Sequence, residues 1–304
     1  MKNLLAVVGP TASGKTRLGV VLAQALAGEI ISADSRQVYR GMDIGTGKDL
    51  TEYGRIPHHL IDIVEPGAEF NLFDYQRLAY TAIEDVQARQ LLPVLVGGSG
   101  LYLDAVLKGY RLVRVPENRD FHERLSQLSL PDLQKRLKDA RPVLHNVTDL
   151  LDKPRLIRAI EIAEGEKPLL AELPPAPALK PLILGIRWDR SVLRQRITQR
   201  LQQRLDAGMV DEVKRLLARG VGHDRLSFYG LEYRFISSFL KGDLDQTTFF
   251  ESLNRAIHQY AKRQDTWFRR MEKRGSQIIW IDGGAEMESK ALAVVKGQYF
   301  THLK

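Results

Sequence analysis

The sequence contains no cysteine, which removes disulfides, thiolate metal sites and a cysteine nucleophile from consideration. No apolar run comes near the ~18 residues that a membrane-spanning helix needs, so no membrane partner is expected. The apolar opening Met1-Lys2-Asn3-Leu4-Leu5-Ala6-Val7-Val8 runs straight into Gly9-Pro10 with no cleavage-type segment. It reads as a first β-strand and not as a signal peptide. These absences fit a cytoplasmic protein. Internal repeats and low-complexity tracts are also missing. The pair His58-His59 carries no metal signal, because adjacent strand positions face opposite ways; both histidines read as structural, and Asp62 as a hydrogen-bond partner near the cleft.

What is present is ordinary in amount and uneven in placement. The 304 residues are 44% hydrophobic and 27% charged, enough to bury a full core in one large or two modest domains. The net charge of +8 is concentrated: residues 151–275 hold 24 Lys and Arg against 16 Asp and Glu, while the flanking segments balance. A surplus confined to one half is expected where that half meets a polyanion, although a generally basic surface would read the same from composition.

The first hundred residues alternate short apolar runs with amphipathic helical spacing. Strands are expected over residues 4–8, 30–31 and 91–96, with a helix near 74–90. This alternation implies a parallel sheet with ligands at its carboxyl edge. Between residues 117 and 177 strand signals vanish, and helical spacing appears at 121–128, 133–137 and 156–162. The stretch ends in the stiff connector Pro174-Pro175-Ala176-Pro177. A strand is expected again at 181–186, then long helices over 191–219, 226–240 and 246–274, and a closing strand at 277–281. The fold class is therefore α/β, a parallel sheet flanked by helices, in which residues 1–116 and 178–304 form the core and 117–177 a helical insertion.

Gly9-Pro10-Thr11-Ala12-Ser13-Gly14-Lys15-Thr16 fits the phosphate-loop pattern G-x-x-x-x-G-K-[ST], after a strand and before a helix. Its glycines let backbone N–H groups turn toward phosphate oxygens, and the following helix points its positive end at the same place. Lys15 adds a point charge, and the Thr16 hydroxyl is placed to hold Mg²⁺. Nucleotide hydrolases usually add an acid at the end of a second apolar strand, but residues 91–96 run into Gly97-Gly98 instead. Asp34 does end a strand. It is a candidate for a metal role, for a helix cap, or for a base facing a second substrate.

Seven segments in order then resemble the tRNA dimethylallyltransferase family: GPTASGKT at 9–16, SADSRQVY at 32–39, GMDIGTGK at 41–48, PHHLID at 57–62, GGSGLY at 97–102, RLIRAIEI at 155–162 and YAKRQDTWFR at 260–269. The resemblance implies a phosphate-loop NTPase-like fold and transfer of the prenyl group of dimethylallyl diphosphate to the exocyclic amine of adenine 37 in the anticodon stem-loop of tRNA. It implies that Gly9, Thr11, Ala12, Ser13, Gly14, Lys15 and Thr16 hold the diphosphate, that Asp34 accepts the amine proton, and that Arg200 closes over the leaving group. Asp34, Ser35, Arg36, Gln37, Ser99 and the run Pro154, Arg155, Leu156, Ile157 and Arg158 match segments that touch tRNA. Arg119, Arg234, Lys262 and Arg263 are further expected tRNA contacts. Thr46-Gly47-Lys48-Asp49 stands where the family commonly has Thr-Ala-Lys-Pro. No Cys/His cluster follows the core in this sequence, so the zinc-finger tail of eukaryotic relatives is not expected.

The chemistry is physically coherent. The adenine amine is a poor nucleophile, so the reaction depends on stabilising charge on the departing diphosphate, which Lys15, Arg200 and Mg²⁺ can do. A carboxylate near the amine then takes its proton. A loop base leaves its stack more cheaply than a paired one. The basic C-terminal half supplies phosphate contacts, whereas Trp267 and Phe268 at helical spacing read as core before stacking platforms. A single chain is expected to suffice. The rival readings are an adenylate dimethylallyltransferase, which would not need the insertion or the basic helix, and a phosphate-loop kinase for a small metabolite. A non-catalytic RNA-binding module would have no use for Lys15 and Asp34 together.

Overall fold

The computed structural model describes residues 2–141, 150–170, 173 and 175–300. The chain begins with β1 (Leu4–Val8), α1 (Lys15–Ala25), β2 (Gly28–Ala33) and the short β3 (His58–His59). It continues through α2 (Leu72–Ala88), β4 (Leu92–Gly97) and α3 (Gly100–Leu107). Three helices follow, α4 (Arg119–Ser126), α5 (Leu130–Ala140) and α6 (Lys153–Leu170). After β5 (Pro181–Arg187) come α7 (Arg190–Asp206), α8 (Met209–Ala218), α9 (His223–Phe228), α10 (Leu231–Leu240) and α11 (Gln246–Lys273), and the described chain ends with β6 (Ile278–Asp282) and α12 (Met287–Phe300).

The six strands form one sheet in the order β3-β2-β4-β1-β5-β6, and every pairing is parallel. Alternate strand residues bury on opposite faces, as the strand period requires. Leu4, Ala6, Val8, Ile31 and Leu95 pack with Tyr75, Ala79, Ile83, Leu103, Phe268 and Met271 from α2, α3 and α11. Leu5, Val7, Ile30, Val94 and Leu184 pack with Leu18, Leu22, Ala291 and Val295 from α1 and α12. Because both faces are covered, β1 is buried at every position, which is why it reads as an unbroken apolar run. Each fully buried aliphatic side chain contributes about 1.5–3 kcal/mol, so this double layer makes a rigid platform. The register aligns Val8, Ala33, Gly97 and Gly185 at one edge, and there the loops of the site begin.

Two long helices expected from spacing are each broken. The stretch 191–219 divides at Gly208, whose φ of 92° starts α8 in a new direction; a left-handed turn of this kind favours glycine. The stretch 226–240 divides at Tyr229-Gly230. Helix α12 is not marked by spacing, since among its described side chains Met287, Ala291 and Val295 are the buried ones, too sparse a stripe among charges to read as periodic.

The chain forms two compact units, residues 1–108 with 178–304, and residues 109–177. The second starts eight residues before the position read from composition, because the extended segment ahead of α4 is tied to its helices. Arg158 Nη2 donates to the Val115 carbonyl at 2.7 Å, and Arg111 Nη2 to the Leu170 carbonyl at 2.5 Å. This unit is built on Leu125, Leu133, Leu137, Leu156, Ile157 and Ile160. Of the Pro-rich connector, Pro174 lies outside the described residues. Among the described residues no helix is long and apolar enough to cross a membrane.

Candidate active site

Residues 9–14 turn the chain from β1 into α1. Ala12 (φ 62°) and Gly14 (φ 89°) both have left-handed backbone, the kind of turn that directs successive N–H groups into an anion-binding nest. Gly14 accepts this freely; Ala12 is strained by of order 1 kcal/mol, and the surroundings hold it. The Thr11 N–H donates to Gln264 Oε1 at 2.8 Å, and Gln264 Nε2 donates to the Gly98 carbonyl at 2.9 Å, so one buried glutamine of α11 ties the loop to the end of β4. Trp188 Nε1 donates to the Ser13 carbonyl and Arg196 Nε to the Ala12 carbonyl, each at 2.9 Å. These partners draw loop carbonyls outward. Ser13 Oγ is buried with no hydrogen-bond partner, as expected of a group kept for a ligand.

Lys15 reaches back to the Pro10 carbonyl at 3.2 Å. Burial, and next the repulsion of Arg200, push its ammonium down to about 8 from the ordinary 10.5, while Asp34 pulls the other way. The three groups therefore share one field, although they come from α1, α7 and the end of β2.

Asp34 follows the last residue of β2, and its Oδ1 accepts the Arg36 N–H at 2.9 Å. A turn follows and no helix begins there, so the helix-cap reading is set aside in favour of a local carboxylate turn. Ser35 N–H donates to Ser99 Oγ at 3.2 Å, and Ser99 N–H to the Ala33 carbonyl at 3.3 Å, locking the ends of β2 and β4 together. Tyr260 of α11 hydrogen-bonds Ser99, and burial together with Asp34 keeps its phenol neutral by pushing its pKa up. Gln37 is buried and fully engaged: it accepts from Ser32 Oγ at 2.8 Å and donates to the Gly47 carbonyl at 3.1 Å. It braces the next loop instead of facing outward.

That loop, residues 42–49, is rigidly built. Glu212 of α8 accepts the N–H groups of Asp43, Ile44 and Gly45 at 2.8, 2.7 and 3.0 Å and the Tyr233 hydroxyl at 2.7 Å. Lys48, wholly buried, donates to the Tyr39 carbonyl at 2.7 Å, to Asp43 Oδ1 at 2.6 Å and to Asp62 Oδ1. Asp62 thus has the partner role expected of it. The loop ends on Asp49, which bonds Arg200. His59, likewise, is structural, its Nε2 lying 2.7 Å from Glu29 Oε2.

The remaining expected residues fall into two groups. Arg119, Pro154, Arg155, Arg234, Lys262 and Arg263 are exposed, and Arg36 lies over the half-exposed Phe228 ring at 4.8 Å. Leu156 and Ile157 are core residues of the helical unit, 0% and 3% exposed, so their side chains cannot touch RNA; they hold α6 in place. Arg158 is spent on Glu161 at 2.9 Å and the Val115 carbonyl. Phe268 is core, and Trp267 Nε1 donates to buried Asp104 at 3.0 Å. Sequence reasoning missed Trp188, Gln264, Asp49 and Arg204. The spacing of Arg196, Arg200 and Arg204 at i, i+4 and i+8 on an expected helix was the available signal.

Among the described residues no group of three or more His, Cys, Asp or Glu could hold a metal ion. Near the loop the metal-type donors singled out are the Thr16 hydroxyl and the Asp34 carboxylate, a small set that suits an ion brought largely by phosphate oxygens.

The IPP transferase family model matches residues 37–271, and an isopentenyl transferase model matches residues 2–54. The chain belongs to the tRNA dimethylallyltransferase (IPP transferase) family. It is 61% identical to tRNA dimethylallyltransferase 2 of Syntrophotalea carbinolica over 93% of this chain and 95% of that one. It is 58% identical to tRNA dimethylallyltransferase 1 of Geotalea daltonii over 97% and 96%. The crystal structure of a tRNA isopentenylpyrophosphate transferase from Bacillus halodurans matches with a TM-score of 0.73 at 34% identity, over 98% of this chain and 97% of that one. A eukaryotic dimethylallyltransferase acting on tRNA has the same fold, with a TM-score of 0.79 at 23% identity, over 100% of this chain and 80% of that one. As a member of this transferase family, the protein has the P-loop NTPase-like parallel sheet, and its prenyl-transfer reading prevails over the adenylate and kinase alternatives.

Proposed function

We propose that the protein transfers the dimethylallyl group of dimethylallyl diphosphate to the exocyclic amine of adenine 37 in the tRNA anticodon stem-loop, releasing diphosphate. The observation that carries this reading is a phosphate-loop nest, left-handed at Ala12 and Gly14, whose buried Ser13 hydroxyl has no internal partner. The nest lies between β1 and α1, with Asp34 following β2 of the same sheet; the fields of Arg200 and Asp34 on Lys15 agree with it. The backbone of residues 9–16, Lys15 and Arg200 hold the diphosphate and stabilise its charge as the allylic C–O bond breaks. Asp34, fixed by the Arg36 N–H and by the Ser35–Ser99 bridge, accepts the proton from the adenine nitrogen as that nitrogen bonds to the allylic carbon. A divalent metal, Mg²⁺, would be held by the Thr16 hydroxyl and would supply further charge neutralisation on the leaving group.

Exposed Arg119, Arg155, Lys262 and Arg263 are assigned to tRNA phosphates, and Ser35, Arg36 and Ser99 to the nucleotide end of the site. One chain acting in the cytoplasm is taken as the working unit. The direct test is incubation with labelled dimethylallyl diphosphate and unmodified tRNA, with AMP and ATP as competing acceptors, followed by nucleoside analysis. Label in a prenylated adenosine of tRNA is expected; label only in AMP or ATP would reject the proposal.

A further inference from the structure

Helix α7 carries Arg196, Arg200 and Arg204 one turn apart, so the three guanidiniums lie along one face. Like charges at this spacing oppose helix formation, and here they are also partly desolvated. Burial lowers the pKa of Arg196 and of Arg204, and Arg200 lowers both further. Arg196 has its own partners, the Ala12 carbonyl at 2.9 Å and the Trp188 ring at 4.3 Å. Arg200 bonds Asp49. Arg204 has far less. Its Nη2 lies 3.6 Å from the same Asp49 oxygen, too far for a hydrogen bond, and that nitrogen is buried with no hydrogen-bond partner. The side chain is only 14% exposed, so water does not readily make up the deficit.

The space for this guanidinium is made by the facing loop. A Cβ at Gly47 would run into Arg204, so that loop approaches closely only as glycine. Asp49 is then presented with left-handed backbone, φ 49°, at the end of a loop that Glu212 and Lys48 hold rigid. Lys15 feels Arg200, Arg204, Asp34 and Asp49 together. Glu232 also acts on Arg204, so the charges of Lys15, Arg200 and Arg204 are offset by Asp34, Asp49 and Glu232. None of these anions gives Arg204 Nη2 a hydrogen bond, and that nitrogen sits within reach of the phosphate loop's field. An anion arriving at the loop can accept the hydrogen bond that this donor lacks.

We propose that Arg204 is a second arginine for the diphosphate, and that Asp49 is a counter-ion that holds Arg200 and Arg204 in place and is displaced in part when the diphosphate binds. This rests on the assignment of the loop to the diphosphate. The proposal gives Asp49 and Arg204 opposite effects: Arg204 adds affinity for the anion, and Asp49 competes with it.

The test is direct titration of inorganic diphosphate into the free protein by calorimetry, alongside product inhibition by inorganic diphosphate in the prenyl-transfer assay. Arg204→Gln should weaken diphosphate binding by roughly tenfold or more, the range for a charge-assisted hydrogen bond, and leave the KM for tRNA unchanged. Asp49→Asn should tighten it several-fold. Arg204→Lys, which keeps the charge, should fall between wild type and Arg204→Gln, and serves if the glutamine variant does not fold. Unchanged diphosphate affinity in the Arg204 variants, or weaker affinity in Asp49→Asn, would overturn the proposal. If the wild-type protein binds diphosphate but transfers no prenyl group to tRNA, the functional reading fails while the calorimetric comparison still decides the roles of Arg204 and Asp49.

Discussion

Strand β2 has an acidic residue at each end, and the two are treated oppositely. Near its start, Glu29 is 4% exposed yet wants for nothing. Arg89 donates to both its oxygens, with Nη2 at 2.8 Å, and His59 Nε2 lies 2.7 Å away. Arg89 also bonds Asp85 at 2.7 Å. The hydrogen bonds from Arg89 outweigh burial and hold the Glu29 carboxyl at about 2. At the far end, Asp34 faces a cluster in which Lys15 is depressed to about 8 and both Ser13 Oγ and Arg204 Nη2 are buried without hydrogen bonds. At the first end the carboxylate is satisfied within the chain; at the other, two polar groups in or beside the phosphate loop are left short of partners.

The largest effect that sharpens this contrast is at Asp34. Asp34→Ala should lower kcat by roughly 10²–10⁴, the usual range for a general base, while tRNA affinity measured by filter binding is retained and thermal stability changes little. Wild-type turnover would end its role as base.

Glu29→Gln should do the reverse. Losing charge-assisted hydrogen bonds at a buried site costs about 1–3 kcal/mol at pH 7, readable by urea unfolding, with kcat unaltered. The sign of the pH dependence follows from a carboxyl whose folded pKa lies below its ordinary 4.5. Its stabilisation is complete above about pH 4.5 and is lost as pH falls toward 2. The gap between wild type and variant should close over that same window.

A smaller effect tests the shared field. With Lys15 at about 8 in the free protein, kcat/KM for the prenyl diphosphate should fall as pH rises through 8, because the ammonium loses its proton and with it its hold on the anion. Arg200 repels that ammonium, so Arg200→Gln should move the inflection upward in addition to lowering affinity. An inflection that stays in place would separate the two residues.

Much of this is legible in the sequence. The phosphate loop is plain because its spacing and its flanking strand and helix are both local features. Strands β1, β2, β4, β5 and β6 lie within a few residues of the short apolar runs that mark them, whereas the edge strand His58–His59 carries no such run. Asp34 was found as the end of such a run. The contacts that make these residues a site are not local. Gln264 meets Thr11 across 253 positions, Glu212 meets residues 43–45 across more than 160, and Asp49 meets Arg200 across 151. Nothing in composition or period encodes such pairings. Leu156 and Ile157 show the opposite error: a motif marks residues that recur together, without separating those that touch a substrate from those that hold the helix.

The smallest expected effect is the most discriminating. Ser13 and Glu29 are both buried polar residues on loops or strands of the same sheet, so a purely structural account expects both to matter for folding. Ser13 Oγ, however, has no hydrogen-bond partner in the free protein, and removing a hydroxyl that makes no bond forfeits none. Ser13→Ala should therefore leave the unfolding free energy within about 0.5 kcal/mol of wild type. A neutral hydrogen bond to the bound anion is worth about 0.5–1.5 kcal/mol, so the same change should weaken diphosphate binding by roughly two- to tenfold in calorimetry. If Ser13→Ala instead destabilises the fold as much as Glu29→Gln and binds diphosphate as wild type does, the distinction between the two ends of β2 disappears, and the unpaired hydroxyl has to be explained by something other than a ligand.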